Sequence, residues 1–120
     1  MVTVELSWPG RVLWANRSKG RHWAATADAV ATARNEARIV TLAALAGDPF
    51  MATDRAALVV TFYPPDRRRR DLMNVYQAIK AQQDGIADAL RIDDAAFCPV
   101  TLMWGKPEKP GRVVVQIGAG

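Results

Sequence analysis

Four consecutive arginines, Arg67 to Arg70, constrain most strongly how this 120-residue chain can fold. They follow Pro64-Pro65, which ends a run from Ala56 to Tyr63 that has the composition of a β-strand. Four adjacent guanidinium groups cannot all face one way on an extended or a helical backbone, and arginine is rarely buried without a partner. The chain therefore reaches the surface here, and some of these side chains point to solvent or to a binding partner.

The patterns on either side of this turn predict an α+β fold. Alternating or apolar runs predict four strands, and two stretches with helical spacing lie between them. The order strand, basic loop, helix, strand, helix, strand, strand predicts one domain over residues 1–120, a two-layer sandwich with two helices packed on a sheet. The expected strands are Val2 to Trp8, Ala56 to Tyr63, Pro99 to Trp104 and Arg112 to Ile117, and the expected helices run from about Thr26 to Ala46 and from about Asp71 to Leu90.

Each expected helix has a face that is predicted to contact the sheet. In the first, this face carries Val30, Ala33, Ala37, Val40 and Ala44. In the second, it carries Leu72, Tyr76, Ile79, Gln83, Ile86 and Leu90. A mostly polar face lies about 100° away on the second helix, and it carries Met73, Gln77, Lys80, Asp84 and Asp88.

Composition excludes several classes of protein. The single cysteine, Cys98, excludes an internal disulfide and a cysteine-rich zinc site, and the single histidine, His22, leaves a histidine-based zinc site or catalytic triad without partners. No apolar stretch approaches the ~18 residues that a membrane span needs, and the N-terminus lacks a signal pattern. We therefore expect a cytoplasmic protein without a membrane partner.

Two basic segments indicate an anionic partner, in agreement with the net charge of +4. The arginine run is either a solvated charge run or a phosphate clamp, because guanidinium groups match phosphate geometry. A second basic segment, Arg11 to Trp23, places Arg17, Lys19 and Arg21 between tryptophans. Together the two segments favour DNA or RNA as the partner.

Aspartates lie beside the arginine run and after the second helix. Asp66, Asp71, Asp93 and Asp94 are all at the ends of expected elements, where side chains can converge. Acids next to a phosphate-binding surface repel the substrate unless a cation lies between them, and Mg²⁺ binds carboxylates together with phosphate oxygens. The structural alternative is that Asp71 only caps a helix and that Asp93-Asp94 only forms a turn.

The segment PDRRRRDLMN, residues 65–74, resembles the motif PDRRRRDLDN of the RusA family of Holliday junction resolvases. The later segment DGIADALRIDD, residues 84–94, is similar to the phage-type branch of that family. The resemblance implies a RusA-like fold with a mixed sheet. It also implies a homodimeric endodeoxyribonuclease, dependent on Mg²⁺ or Mn²⁺, that nicks four-way DNA junctions in recombination and repair.

Carried over by position, the resemblance implies that Asp71 and Asp94 bind the metal ion, with Asp93 as a third acidic residue of the site. Arg67, Arg68, Arg69 and Arg70 would hold the DNA backbone. Gln77 replaces a lysine that some members use, and Lys80, one turn further, is the expected substitute. Met73 replaces a metal-binding aspartate, and a thioether is a poor ligand for Mg²⁺. The alternative function is therefore a branched-DNA-binding homologue with weak or no cleavage.

Overall fold

The computed structural model describes residues 1–14, 23–47 and 55–119. The four strands are β1 (Val2–Ser7), β2 (Ala56–Tyr63), β3 (Phe97–Trp104) and β4 (Arg112–Ala119). The three helices are α1 (Trp23–Gly47), α2 (Leu72–Ala78) and α3 (Lys80–Leu90), and 3₁₀ turns lie at Arg11–Leu13 and Asp94–Ala96. The expected α+β class is confirmed.

The strands form one mixed sheet in the order β1-β4-β2-β3. Strand β4 is antiparallel to both of its neighbours, whereas β2 and β3 are parallel. A parallel pair needs a crossover connection, and α2 and α3 supply it between β2 and β3. As a result, the segment just after β2 lies at one end of the sheet, and the segment just before β3 lies at the other.

The core lies between one face of the sheet and the helices. Alternate residues of β1, β2 and β4 are buried, as expected for strands that have one covered face. Among the largest fully buried side chains are Leu58, Phe62, Val115 and Ile117 from the strands and Ile79 and Ile86 from the helical segment. The opposite face of the sheet is partly exposed, so the molecule has two layers as expected.

The single helix expected from Asp71 to Leu90 is interrupted at Ile79, so this expectation was wrong in one respect. Ile79 has φ −97° and ψ 12°, and its N–H donates to the Tyr76 carbonyl three residues back. The side chain of Ile79 is only 1% exposed. The break allows Ile79 to stay in the core while α3 starts in a new direction, and tertiary packing therefore overrides the local helical pattern.

Helix α1 contacts the rest of the molecule through a narrower stripe than the sequence predicts. Ala37 and Thr41 are its buried residues among those whose side chains are described, and the Thr41 hydroxyl donates to the Ala37 carbonyl at 2.7 Å. Val30 and Val40, expected on the buried face, are 38% and 39% exposed. The buried stripe consists of small side chains because α1 lies very close to α3 at Gly85.

In the ranges covered by the structure, no helix combines the length and apolar character that a membrane span requires.

Candidate nucleic-acid and metal site

The arginine run lies in a braced loop after β2, which we call the arginine loop and define as residues 64–70. Arg70 forms the brace, because its guanidinium donates to the Asp66 carbonyl, to Asp66 Oδ1 and to the Arg68 carbonyl at 2.9–3.2 Å. The Arg68 N–H also donates to Asp66 Oδ1, at 2.9 Å. These bonds hold the pKa of Asp66 below its usual value, with the Arg68 backbone N–H as the main cause. Asp66 therefore stays ionised and keeps the loop closed.

Arg70 also contacts the tryptophans at the end of β1. Its guanidinium carbon lies 5.5 Å from the centre of the Trp8 ring, a cation–π distance. Trp8 packs at 6.2 Å on Trp14, whose indole N–H donates to the Pro9 carbonyl. The Arg70 side chain is only 13% exposed as a result. Its position suits a structural role in the loop, whereas the sequence assigned it to DNA.

The other three arginines of the loop, Arg67, Arg68 and Arg69, are exposed. None of their guanidinium groups has an ion-pair partner among the residues that the structure describes. Exposed guanidinium groups fit both readings of the arginine run, a solvated charge run and a phosphate clamp. The structure thus divides four chemically identical residues into one brace and three available cations.

Asp71 lies directly after the arginine loop and caps α2. Its Oδ1 accepts the N–H groups of Met73 and Asn74 at 2.8 and 3.1 Å. This is the usual N-cap arrangement, in which a side-chain oxygen satisfies backbone donors that have no partner within the helix. The side chain of Met73 is 55% exposed in the same first turn. The capping role that the sequence left open for Asp71 is therefore present.

An acidic cluster, which we define as Asp84, Asp94 and the Lys80 ammonium between them, lies at the start of α3. Lys80 Nζ donates to Asp84 Oδ1 at 2.8 Å and also to Asp94 Oδ2. The break at Ile79 sets the direction of Lys80, and the turn after α3 returns Asp94 to it across fourteen residues. Two carboxylates thus share one cationic atom.

The charges of Lys80 and Asp94 stabilise each other. Hydrogen bonds to Asp84 and then to Asp94 raise the pKa of Lys80 above its usual value. The ammonium of Lys80, followed by a contact with Asp93, lowers the pKa of Asp94. Asp94 therefore stays ionised at neutral pH, the form in which carboxylates bind metal ions.

An open depression of about 380 Å³ adjoins the acidic cluster. It is lined by Tyr76, Gln77, Lys80, Gln83 and Asp94, so both α2 and α3 contribute to it. Gln83 is only 7% exposed, and its amide group extends the polar wall beside the carboxylate. Gln77, at the position where the resemblance expected a lysine, lines the same depression as its proposed substitute Lys80.

The structure brings together only part of the predicted metal site. Asp93 caps the 3₁₀ turn by accepting the Ala95 N–H at 2.8 Å, and Asp94 contacts Lys80. Asp71 caps α2, the helix before the one that carries Lys80. Within residues 1–14, 23–47 and 55–119 there is no group of three or more His, Cys, Asp or Glu residues that could hold a metal ion. The expected set of Asp71, Asp93 and Asp94 is not assembled, because two of these residues cap different elements.

The structure describes Asp84 but not the DNA-binding candidates of the second basic segment. Arg17, Lys19 and Arg21, predicted to bind DNA, lie outside the described residues, as does His22. Asp84, which the sequence placed on the polar face of the second helix, joins Asp94 through Lys80. The spacing of four residues between Lys80 and Asp84 could have indicated this pair. The contact with Asp94 depends on the fold.

A second ion pair fixes α1 against α3 near this cluster. The Arg34 guanidinium binds Asp88 with two hydrogen bonds, of 2.6 and 2.9 Å. This contact raises the pKa of Arg34 and lowers that of Asp88. Asp88 lies eight residues after Lys80, about 12 Å along α3, and its carboxylate pairs with Arg34.

The sequence was compared with known proteins. Over 118 residues the chain is 35% identical to an uncharacterized protein of Xylella fastidiosa, and the match covers 98% of this chain and 76% of that protein. No family model matches the chain.

Proposed function

The chain belongs to the same family as the Xylella fastidiosa protein, and from its arginine loop and acidic cluster we propose that it is a Mg²⁺-dependent endodeoxyribonuclease of the RusA type. The proposed substrate is a four-way DNA junction, and the proposed reaction is paired nicking of its strands. This activity would serve DNA recombination and repair.

The observation that carries the proposal is the braced arginine loop. Arg70 closes the loop from inside, and Arg67, Arg68 and Arg69 are left exposed directly before the helix that leads to the acidic cluster. A solvated charge run does not need an internal brace, because each of its side chains can be oriented independently. A loop whose backbone is already fixed loses less entropy when its side chains bind phosphate, which favours a binding role.

The residues of the acidic cluster suit Mg²⁺ as a two-carboxylate set. Mg²⁺ in nucleic-acid enzymes commonly uses one or two carboxylates, with waters and substrate phosphates as its remaining ligands. Asp84 and Asp94 already share one cation, the ammonium of Lys80. We propose these two as the main ligands, with Asp71 and Asp93 as further candidates, and Mn²⁺ as an alternative ion.

The residues around the proposed metal ligands have separate proposed roles. Arg67, Arg68 and Arg69 would bind the DNA backbone. Lys80, which lies beside these carboxylates, would supply positive charge near the scissile phosphate. A bound Mg²⁺ would polarise a phosphoryl oxygen and lower the pKa of an attacking water.

The resemblance also leads us to propose a homodimer, since a paired cut in a four-way junction needs two sites. Sedimentation equilibrium at micromolar concentration tests this directly. A mass of twice 13.1 kDa is the expected result. A monomer at all concentrations, with or without junction DNA, would contradict it.

The central experiment follows nicking of an end-labelled synthetic four-way junction in Mg²⁺ and in Mn²⁺. We expect the protein to nick the junction. We expect Asp94→Asn to lose nicking but keep junction binding, because the amide removes one ligand charge and leaves the arginine loop unchanged. An Asp94→Asn variant that is as active as the parent would refute the assignment of the site.

Asp88→Asn is the matched control. Asp88 lies on the same helix as Asp84 and is an exposed aspartate, but it pairs with Arg34 instead of Lys80. The same Asp→Asn change should therefore leave nicking within about twofold of the parent, because an exposed ion pair contributes little to stability. Equal losses in Asp88→Asn and Asp94→Asn would indicate a general charge effect and would contradict the proposed ligands.

A second candidate function is binding of branched DNA without cleavage. It is favoured by Met73, which presents an exposed thioether in the first turn of α2 where the resemblance expects a carboxylate. In this case the junction binds tightly in the absence of metal, and no nicking follows in either metal ion.

Met73→Asp separates the two candidates. The new carboxylate would lie in the first turn of a helix, where negative charge is favourable. If Met73→Asp nicks the junction and the parent does not, binding is the function of the natural chain. If both nick the junction, Met73 is tolerated and the endonuclease proposal stands.

A further inference from the structure

The β3–β4 loop, residues 105–111, carries two lysines that the proposed site does not use, and we call it the lysine loop. Lys106 and Lys109 are both exposed, and neither has an ion-pair partner within the described part of the chain. We propose that this loop and the arginine loop form one cationic surface that binds the phosphates of a DNA arm. This inference rests on the proposed function and extends it to a second element.

Backbone contacts join the two loops. The Glu108 N–H donates to the Pro64 carbonyl at 2.7 Å, and the Gly105 N–H donates to the Phe62 carbonyl at 2.8 Å. Gly111 has φ +91°, and a Cβ at this position would lie 3.0 Å from the Pro65 ring. Such close backbone approach fixes the lysine loop against the arginine loop, so that their charges keep a constant relative position.

Opposite charge within the lysine loop is already neutralised. Glu108 is its single acidic residue, and its carboxylate accepts from the Arg112 guanidinium at 3.2 Å. Arg112 lies at 4.2 Å over the Tyr63 ring and also approaches Glu5 at 3.5 Å. Glu108 is therefore directed to the sheet, and the exposed charge of the loop comes from Lys106 and Lys109.

The five available cations, Arg67, Arg68, Arg69, Lys106 and Lys109, lie at the same end of the sheet. Strands β2 and β3 are parallel, so the segments that follow them start at the same end of the sheet. The tips of these loops combine lysine, arginine and proline with few apolar side chains. Protein interfaces are depleted in lysine and use aromatic anchors, whereas phosphate binding needs distributed cations. Duplex DNA is thus the partner that this surface fits.

The test compares two double variants in EDTA, which prevents metal-dependent cleavage. Lys106→Gln/Lys109→Gln removes the two loop lysines. Arg38→Gln/Arg55→Gln is the matched control, because it removes two cations elsewhere, Arg55 being at the opposite end of β2. Binding to a fluorescent 20-base-pair duplex and to a four-way junction is measured by anisotropy over a range of KCl concentrations.

Each lost phosphate contact should reduce the magnitude of the negative slope of log K against log salt by about 0.9. The slope of Lys106→Gln/Lys109→Gln should therefore be smaller in magnitude than that of the parent by about 1.8. Its affinity at 0.1 M salt should fall by up to roughly 60-fold, whereas the control keeps the slope of the parent. An unchanged slope in the lysine variant overturns the inference. So does a parent protein that binds no DNA, or one that binds polyglutamate as tightly as duplex of equal charge.

Failure of this inference differs from failure of the proposed function. Junction nicking in Mg²⁺ reports on the acidic cluster, and the salt slope in EDTA reports on the loops. If the parent nicks junctions but the lysine variant keeps the salt slope of the parent, only the inference about the lysines is refuted. If the parent binds duplex DNA through the lysines but never nicks a junction, only the endonuclease proposal is refuted.

Discussion

Gly85→Ala tests the close contact between α1 and α3. Gly85 is buried in α3, and a Cβ at this position would lie 2.1 Å from the Arg34 carbonyl oxygen and 2.9 Å from the Ala37 Cβ. Ordinary carbon–oxygen contacts are about 3.3 Å or longer, so the helices must separate locally by about 1 Å. The obstacle is the backbone of a 25-residue helix and cannot rotate away as a side chain would.

The expected loss of stability follows from two opposing effects. Overpacking of a well-packed contact costs about 1–3 kcal/mol, and the rigid backbone places this site at the upper end. Alanine in place of glycine within a helix returns about 1 kcal/mol. We therefore expect Gly85→Ala to lower the free energy of unfolding by about 2 kcal/mol, measured by urea denaturation with circular dichroism at 222 nm.

Gly47→Ala is the control for this prediction. Gly47 is the last residue of α1, and a Cβ there would have nothing within 4 Å among the residues that the structure describes. Its free energy of unfolding should be unchanged or raised by up to about 1 kcal/mol, because only the helix-propensity effect remains. If Gly85→Ala is as stable as the parent while Gly47→Ala behaves as expected, the inferred close contact is wrong.

Three further predictions concern the site. Asp71→Ala should lower the free energy of unfolding by about 1 kcal/mol through loss of the cap, whereas Asp71→Asn should keep the cap and remove only the carboxylate charge; urea titration of both variants decides this. Arg70→Gln should cost about 1.5–3 kcal/mol, because it removes partly buried charged hydrogen bonds, and faster amide exchange of Arg68 should accompany the loss. A stable, slowly exchanging Arg70→Gln loop would contradict the brace. In Lys80→Met, the pKa of Asp94 should rise toward its ordinary value of 3.8. A depressed carboxyl pKa stabilises the folded state above the unfolded pKa, and this stabilisation is lost as pH falls through the folded pKa. The variant should therefore lose less stability on acidification, and carbon-detected NMR titration measures the shift directly.

Much of the fold follows from local patterns in the sequence. The strands from Ala56 and from Arg112 alternate between buried and half-buried positions as the sequence predicts, since side chains of a strand alternate between the two faces. Pro64-Pro65 ends β2 for a reason that lies within the dipeptide, because proline lacks an N–H and restricts the residue before it. Features of this kind depend on neighbours along the chain.

The candidate site could be predicted only in part. The sequence identifies the arginine run and the acids as the reactive groups, and it allows a cap for Asp71. It does not show that Arg70 packs on Trp8, because these two residues are more than sixty positions apart in the sequence. The contact of Asp84 and Asp94 with one lysine is missed for a similar reason, since helix spacing alone does not show that Asp94 returns to Lys80.

The sequence by itself determined which segments are strands and helices, where the charged loop reaches the surface, and which residue types are available for chemistry. These properties depend on backbone preferences and periodicity over a few residues. The tertiary structure alone decided the break at Ile79, the packing of Arg70 on Trp8 and the meeting of Asp84 with Asp94 at Lys80. Each of these depends on which distant segments the sheet order and the core bring within hydrogen-bond distance, and local preference carries no information about such contacts.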